Sequence, residues 1–257
     1  MISKRVGAFS LAWLRILLTE TSLLLLLQAL SGCGSYNSSN QYQLGINSNA
    51  HTPNMRQVTS GPINYVALGD STGVGVGAKE GGYVARLFKR IQVERPGTTL
   101  TNLCFSGSTS QDVLSEQLDR GITLQPTLVT LGIGINDIGH GVALEQFAEN
   151  YETILSQLRA KTGAFILVTN IPDISAAPSI PQALRDEIGQ RIVLFNWRIA
   201  DTARKHGVAV FDIYSSTHKT LASHPEFFSA DGFHPSDAGY EHWTTEMWPV
   251  VAAAIQE

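Results

Sequence analysis

Residues 63–71 read Ile-Asn-Tyr-Val-Ala-Leu-Gly-Asp-Ser, and this stretch constrains the fold more than any other. A short run rich in β-branched and aromatic residues stops at Gly-Asp-Ser. Gly73, Gly75 and Gly77 follow at once. The pattern predicts a buried strand over Ile63–Leu68 that hands Ser71 to a loop at the carboxyl end of a sheet. Ligands bind at the carboxyl ends of strands in open α/β sheets. Ser71 is therefore a candidate nucleophile, beside a rim that the three glycines are expected to keep flexible.

Downstream, strand and helix patterns alternate. Gly82–Val93 reads as a helix with Val84, Leu87, Phe88 and Ile91 on one face. Thr98–Cys104 reads as a second strand, and Ser110 as the N-cap of a helix carrying Val113, Leu114 and Leu118. Thr127–Gly132 and Phe165–Thr169 are further strands. Between them Leu144, Phe147, Ala148, Tyr151, Ile154, Leu155 and Leu158 recur at intervals of three and four, as on one helix face. A loop is expected over Pro172–Pro181, then a helix over Gln182–Lys205 with Leu184, Ile188, Ile192, Phe195, Ile199 and Ala203 inward. Val208–Ile213 is the fifth strand, and a last helix starts near Pro235. Five apolar strands separated by helices imply a parallel sheet covered on both faces. With right-handed crossovers this predicts a three-layer α/β/α sandwich with a flavodoxin-like strand order 2-1-3-4-5. Trp197, Trp243 and Trp248 are expected in the core or between helices.

The first residues carry a different signal. Lys4, Arg5 and Arg15 precede an apolar run through Leu23–Leu27 to Leu30, a secretory signal pattern. Arg15 and Glu20 interrupt it, so it falls short of the ~20 apolar residues a bilayer span requires. Leu30-Ser31-Gly32-Cys33 resembles the bacterial lipobox. That resemblance implies a signal peptide over residues 1–32 and membrane attachment through an acylated Cys33. Gly34, not Asp, follows the cysteine, which under the bacterial sorting rule directs the protein to the outer membrane of the cell envelope. A plain signal peptide with a chance cysteine is the alternative. Residues 33–60 are rich in Ser, Asn, Gln and Gly and read as a flexible tether, leaving residues 61–257 for the folded domain.

Composition excludes some functions. A formal net charge of −4 leaves no basic footprint for a nucleic acid. The two cysteines, Cys33 and Cys104, cannot build a disulfide framework or a zinc site, so Cys104 is expected to be a lone buried thiol. His218, His224 and His242 lack metal-ligand spacing with one another and read as surface or packing residues. A dinucleotide fingerprint counted from Gly75 needs glycine where Glu80 stands, so that reading fails.

Four segments at the strand ends carry chemistry. They are Gly69-Asp70-Ser71, Phe105-Ser106-Gly107-Ser108, Gly132-Ile133-Gly134-Ile135-Asn136-Asp137 and Asp231-Gly232-Phe233-His234-Pro235. Glycine and asparagine after a strand are usually turn formers. Taken together and in this order, these segments resemble the GDSL family of esterases and lipases, also called SGNH hydrolases, from Ile63 to the C-terminus. One departure is Thr72, where the family name expects leucine. Gly69–Gly73 also matches the G-x-S-x-G elbow of α/β-hydrolases. That elbow normally follows several strands, with its acid and histidine far apart.

The resemblance implies Ser71 as nucleophile, His234 as its base and Asp231 as the carboxylate that orients the imidazole. It assigns the oxyanion hole to the backbone N–H groups of Ser71 and Gly107 and the side-chain amide of Asn136. The chemistry is consistent: a serine hydroxyl needs a base, and a tetrahedral oxyanion needs preorganised donors. Asp237, three residues after His234, is a second possible partner but sits at a helix start. Asp70 is a possible helix cap, and His140 a possible pocket residue. Neither Asp70 nor Asp137 is given a proton-transfer role. No metal or organic cofactor is implied, and water is the acceptor.

The expected function is hydrolysis of carboxylic esters of short to medium acyl chains, including lysophospholipids or thioesters. A carbohydrate O-acetylesterase acting on envelope or capsule polysaccharide is the alternative. A non-catalytic envelope binding protein on the same scaffold is the reading from another class. The loops expected to decide are Thr72–Gly81, Gly139–Val142, Pro172–Pro181 and Ser215–Phe228, the last carrying Phe227 and Phe228.

Overall fold

The computed structural model describes residues 57–58 and 60–256. The signal segment, Cys33 and most of the tether lie outside the described residues. Val58 is already part of the domain, one correction to the tether boundary. It is buried, and its N–H donates to the Ala254 carbonyl.

Strand β1 spans Asn64–Gly69 and is buried almost throughout. A four-residue helix α1 follows at Ser71–Val74, and α2 covers Tyr83–Glu94. Strand β2 is only Thr99–Asn102, shorter than the Thr98–Cys104 expected, and lies at the sheet edge. Helix α3, Ser110–Asp112, passes through a π-helical turn at Val113–Gln117 into α4, Leu118–Thr123. Its N-cap is Thr109, not Ser110. The Thr109 hydroxyl and the Asp112 carboxylate form a reciprocal capping box, which moves the helix start by one residue. Then come β3 (Leu128–Gly132), α5 (Ile135–Gly139), α6 (Leu144–Lys161), β4 (Phe165–Thr169) and α7 (Arg185–His206). Strand β5 is Ala209–Phe211, and α9 runs over Asp237–Ile255. Between these two lies α8, Ile213–Thr220, capped by Asp212. It occupies part of the span expected to be strand five and the loop Ser215–Phe228.

The sheet order is β2-β1-β3-β4-β5, with every pair parallel. Side chains alternate across it. Val66, Leu68, Val129 and Leu131 enter the layer built with Val113, Leu118, Phe147, Tyr151, Ile192 and Phe195. Tyr65, Ala67, Leu128 and Leu167 enter the opposite layer with Leu87, Ile91, Tyr240, Trp243 and Met247. Burying each large apolar side chain contributes about 1.5–3 kcal/mol, which is why strands covered on both faces read as continuous apolar runs. Trp197 is not in this core. It is 52% exposed, two positions from Phe195 and Ile199 and so on the outer side of α7. No helix among the described residues is long and apolar enough to cross a membrane.

Candidate active site

The carboxyl ends of β1 and β3 meet at Gly69 and Gly132. A Cβ on Gly69 would lie 2.3 Å from the Gly132 carbonyl oxygen, and its φ of 146° suits only glycine. The chain then turns into α1. Asp70 caps it, accepting from the Thr72 N–H at 2.9 Å and the Thr72 hydroxyl at 2.8 Å. The departure at position 72 thus supplies a second donor to the cap. Burial pushes the Asp70 carboxyl up to about 6, although both Thr72 bonds and nearby His234 pull the other way. Ser71 is the first residue of α1 and is buried.

The histidine comes from the segment before α9. Gly232, at φ 68°, closes a tight turn that brings Asp231 back to His234. Asp231 Oδ1 accepts from the Ser229 hydroxyl at 2.8 Å and from the N–H groups of Phe233 and His234 at 2.8 and 2.9 Å. Its Oδ2 lies 2.6 Å from His234 Nδ1. Burial alone would raise this carboxyl, but the bonds from His234, Phe233 and Ser229 outweigh it and hold it at about 2. His234 Nε2 lies 3.0 Å from Ser71 Oγ, across 163 positions of sequence. Asp237 faces elsewhere. It accepts from the N–H groups of Lys79 and Glu80 and pairs with Arg86 at 2.7 Å.

Ser71 and Gly107 have backbone N–H groups with no acceptor among the described residues, and Gly107 holds a φ of 86°. Asn136, buried in the first turn of α5, uses one amide hydrogen on the Ser108 carbonyl at 2.8 Å and keeps the other. Asp137 is structural. It accepts from the Ser110 N–H at 2.9 Å and from the Ser110 hydroxyl, which in turn accepts from Asn150 at 3.0 Å. Burial pushes the Asp137 carboxyl up while the Ser110 bonds oppose it.

The glycine-rich rim is packed, not loose. A Cβ on Gly75 would stand 2.1 Å from the Gly82 nitrogen, and one on Gly77 2.6 Å from the Pro235 carbonyl oxygen. The Tyr240 hydroxyl donates to the Val76 carbonyl at 3.0 Å, and buried Arg86 bonds the Gly81 carbonyl, Asp237 and Glu241. These anchors from α2 and α9 have no local sequence signal, because each reaches across the fold.

A cavity of about 60 Å³ opens beside Ser71. Ile213 and Thr217 of α8 and its C-cap Leu221 line it, together with Ile171, Phe227 and Phe233. His242 lies at its edge, its Nε2 3.0 Å from the Ser216 hydroxyl. His218 pairs with Asp173 at 2.6 Å and His224 with Glu226 at 2.7 Å, while His140 is exposed. The Cys104 thiol packs against Gly73, and burial pushes its pKa up, although the residue is partly exposed. No group of three His, Cys, Asp or Glu side chains among the described residues is placed to hold a metal ion.

A family model described as GDSL-like Lipase/Acylhydrolase matches residues 67–242. No curated protein matches the chain significantly by sequence. Solved structures share the fold. LAE5, described as an alpha/beta hydrolase enzyme from the metagenome of Lake Arreo, is 20% identical, with a TM-score of 0.64 over 78% of this chain and 100% of that one. Axe2, an acetylxylan esterase from Geobacillus stearothermophilus, is 18% identical, with a TM-score of 0.62 over 75% and 95%. The lipase/acylhydrolase from Enterococcus faecalis is 22% identical, with a TM-score of 0.58 over 76% and 98%.

Proposed function

The chain belongs to the GDSL-like lipase/acylhydrolase family, and on that premise we propose that it hydrolyses carboxylic esters of short acyl chains through an acyl-serine intermediate. One observation carries the reading: Ser71 Oγ, His234 and Asp231 form a continuous chain, with His234 Nε2 3.0 Å from the serine and Nδ1 2.6 Å from the carboxylate. His234 Nε2 accepts the Ser71 proton as Oγ attacks the ester carbonyl. The imidazolium then donates that proton to the departing alkoxide. Asp231 holds the Nδ1 proton in place and offsets the imidazolium charge. The N–H groups of Ser71 and Gly107 and the amide of Asn136 stabilise the oxyanion. Water, deprotonated by the same imidazole, attacks the acyl carbonyl and releases the acid.

Asn136→Ala removes one of these donors. The expected result is a kcat about 10²–10³ lower in a folded protein. Wild-type turnover in that variant contradicts the assignment.

The cavity supports a short acyl group. The space beside Ser71 is small and closed on several sides by Ile171, Phe227 and Phe233. Its walls are mainly apolar. In a series of p-nitrophenyl esters, kcat/KM is expected to be highest for short acyl chains and to fall at least about tenfold by ten carbons. The second reading, a carbohydrate O-acetylesterase, draws on Phe105. This ring is 69% exposed and two residues from Gly107, a suitable platform for a sugar ring. Acetylated xylan cleaved at least as efficiently as the best p-nitrophenyl ester would favour it. Absence of hydrolysis across the whole panel would sink both readings.

A further inference from the structure

One buried side chain bonds the segments next to the expected oxyanion donors, and it is not among the residues so far given a role. Gln117 is 3% exposed and ends the π-helical turn Val113–Gln117. Its Oε1 accepts from the Gly69 N–H at 2.8 Å. Its Nε2 donates to the Gly69 carbonyl at 2.9 Å and to the Ser108 hydroxyl at 3.2 Å. Gly69 stands two residues before Ser71, and Ser108 is the neighbour of Gly107. The Ser108 carbonyl is in turn the acceptor for Asn136. A single carboxamide therefore bonds the segments that carry the Ser71 and Gly107 N–H groups, and Asn136 joins the second of them through the Ser108 carbonyl.

The position explains the need. Strand β2 pairs with β1 only as far as Ala67 and Asn102, after which the chain diverges. The Phe105 N–H still reaches the Gly69 carbonyl at 3.1 Å. The Gly69 N–H has no backbone acceptor there, and the carboxamide stands in for the missing strand. The π-helical turn places that amide at the divergence, and such turns concentrate at functional sites. Burying an amide is costly unless its donors and acceptor are used, whereas an apolar side chain would fill the space without that cost.

We propose that Gln117 is a positioning residue that sets the spacing between the Ser71 hydroxyl and the oxyanion donors. The inference rests on the serine esterase reading above. Gln117→Glu keeps the size and the acceptor but turns the donor into a second acceptor facing the Gly69 carbonyl. Its kcat is expected to fall about 10- to 100-fold with KM within about threefold, because misplacement by about 1 Å costs on that order. Protonation gives the glutamate back an O–H donor. The ratio of variant to wild-type kcat is therefore expected to rise as pH falls, at unchanged far-ultraviolet circular dichroism. Combined with Asn136→Ala, Gln117→Leu is expected to lose clearly less than the product of the single losses, since both act on one stabilised oxyanion. If Gln117→Leu is recovered unfolded, the pH comparison on Gln117→Glu decides alone.

Wild-type kcat in Gln117→Glu, a ratio flat with pH, or multiplicative losses in the double variant would overturn the inference. Labelling of Ser71 by a fluorophosphonate keeps the two readings apart. If the wild type labels and hydrolyses while the Gln117 variants match it, only this inference fails. If the wild type neither labels nor hydrolyses, the esterase reading has failed first.

Discussion

Ser71→Ala is expected to lower kcat on the best p-nitrophenyl ester by about 10⁴- to 10⁶-fold while the protein stays folded. Among the described residues the hydroxyl makes one side-chain bond, to His234 Nε2 at 3.0 Å, so its removal takes little from the fold. The cap of α1 rests on Asp70 and Thr72 and is untouched. Any residual rate above water would come from the oxyanion donors and the cavity. Steady-state kinetics with thermal unfolding of the same samples makes the comparison. A loss below about tenfold would mean that another group attacks the ester.

Asp231→Asn is expected to have the second largest effect, and for a different reason. The asparagine carbonyl can still accept from Ser229 Oγ, Phe233 N–H and His234 N–H, so the turn at Gly232 persists. Its amide, however, presents hydrogens to His234 Nδ1. The ring then carries its proton on Nε2 and cannot accept one from Ser71. A tautomer error of this kind in a buried site costs about 10⁴ in kcat. Here the Asp231 side chain is 44% exposed and water screens part of its charge. The expected loss is about 10²–10⁴, with KM little changed. The carboxyl is held at about 2, so it stays ionised throughout the neutral range, and the variant's deficit should not recover between pH 6 and 9. Wild-type kcat in Asp231→Asn would assign the orienting role elsewhere.

Most of the fold was legible because β1, β3 and β4 are buried on both faces. Their runs Tyr-Val-Ala-Leu, Leu-Val-Thr-Leu and Phe-Ile-Leu-Val need no periodicity to be recognised. Helix α8 was not legible. Ser215-Ser216-Thr217-His218-Lys219-Thr220 has no apolar stripe, and its inner face relies on Ile213 and Thr217. Its helix is set by the Asp212 cap, which accepts from the Ser215 N–H and hydroxyl. The glycines at 75 and 77 read as a flexible rim, not as the close contacts they are. Their neighbours, Gly82 and Pro235, are tertiary. The four segments bearing Ser71, Gly107, Asn136 and His234 stood out because backbone turns and reactive groups fall together at strand ends. Gln117 did not, because a lone glutamine in an amphipathic helix reads as a solvated face until the fold buries it.

Whether Ser71 is the nucleophile is read from peptide mapping of a fluorophosphonate adduct, because a phosphonate traps only a serine whose proton a neighbouring base removes. One adduct per chain is expected, on the peptide containing Ser71, formed slowly or not at all when His234 is replaced by alanine. An actively hydrolysing protein with no adduct, or with its adduct on another residue, would contradict it.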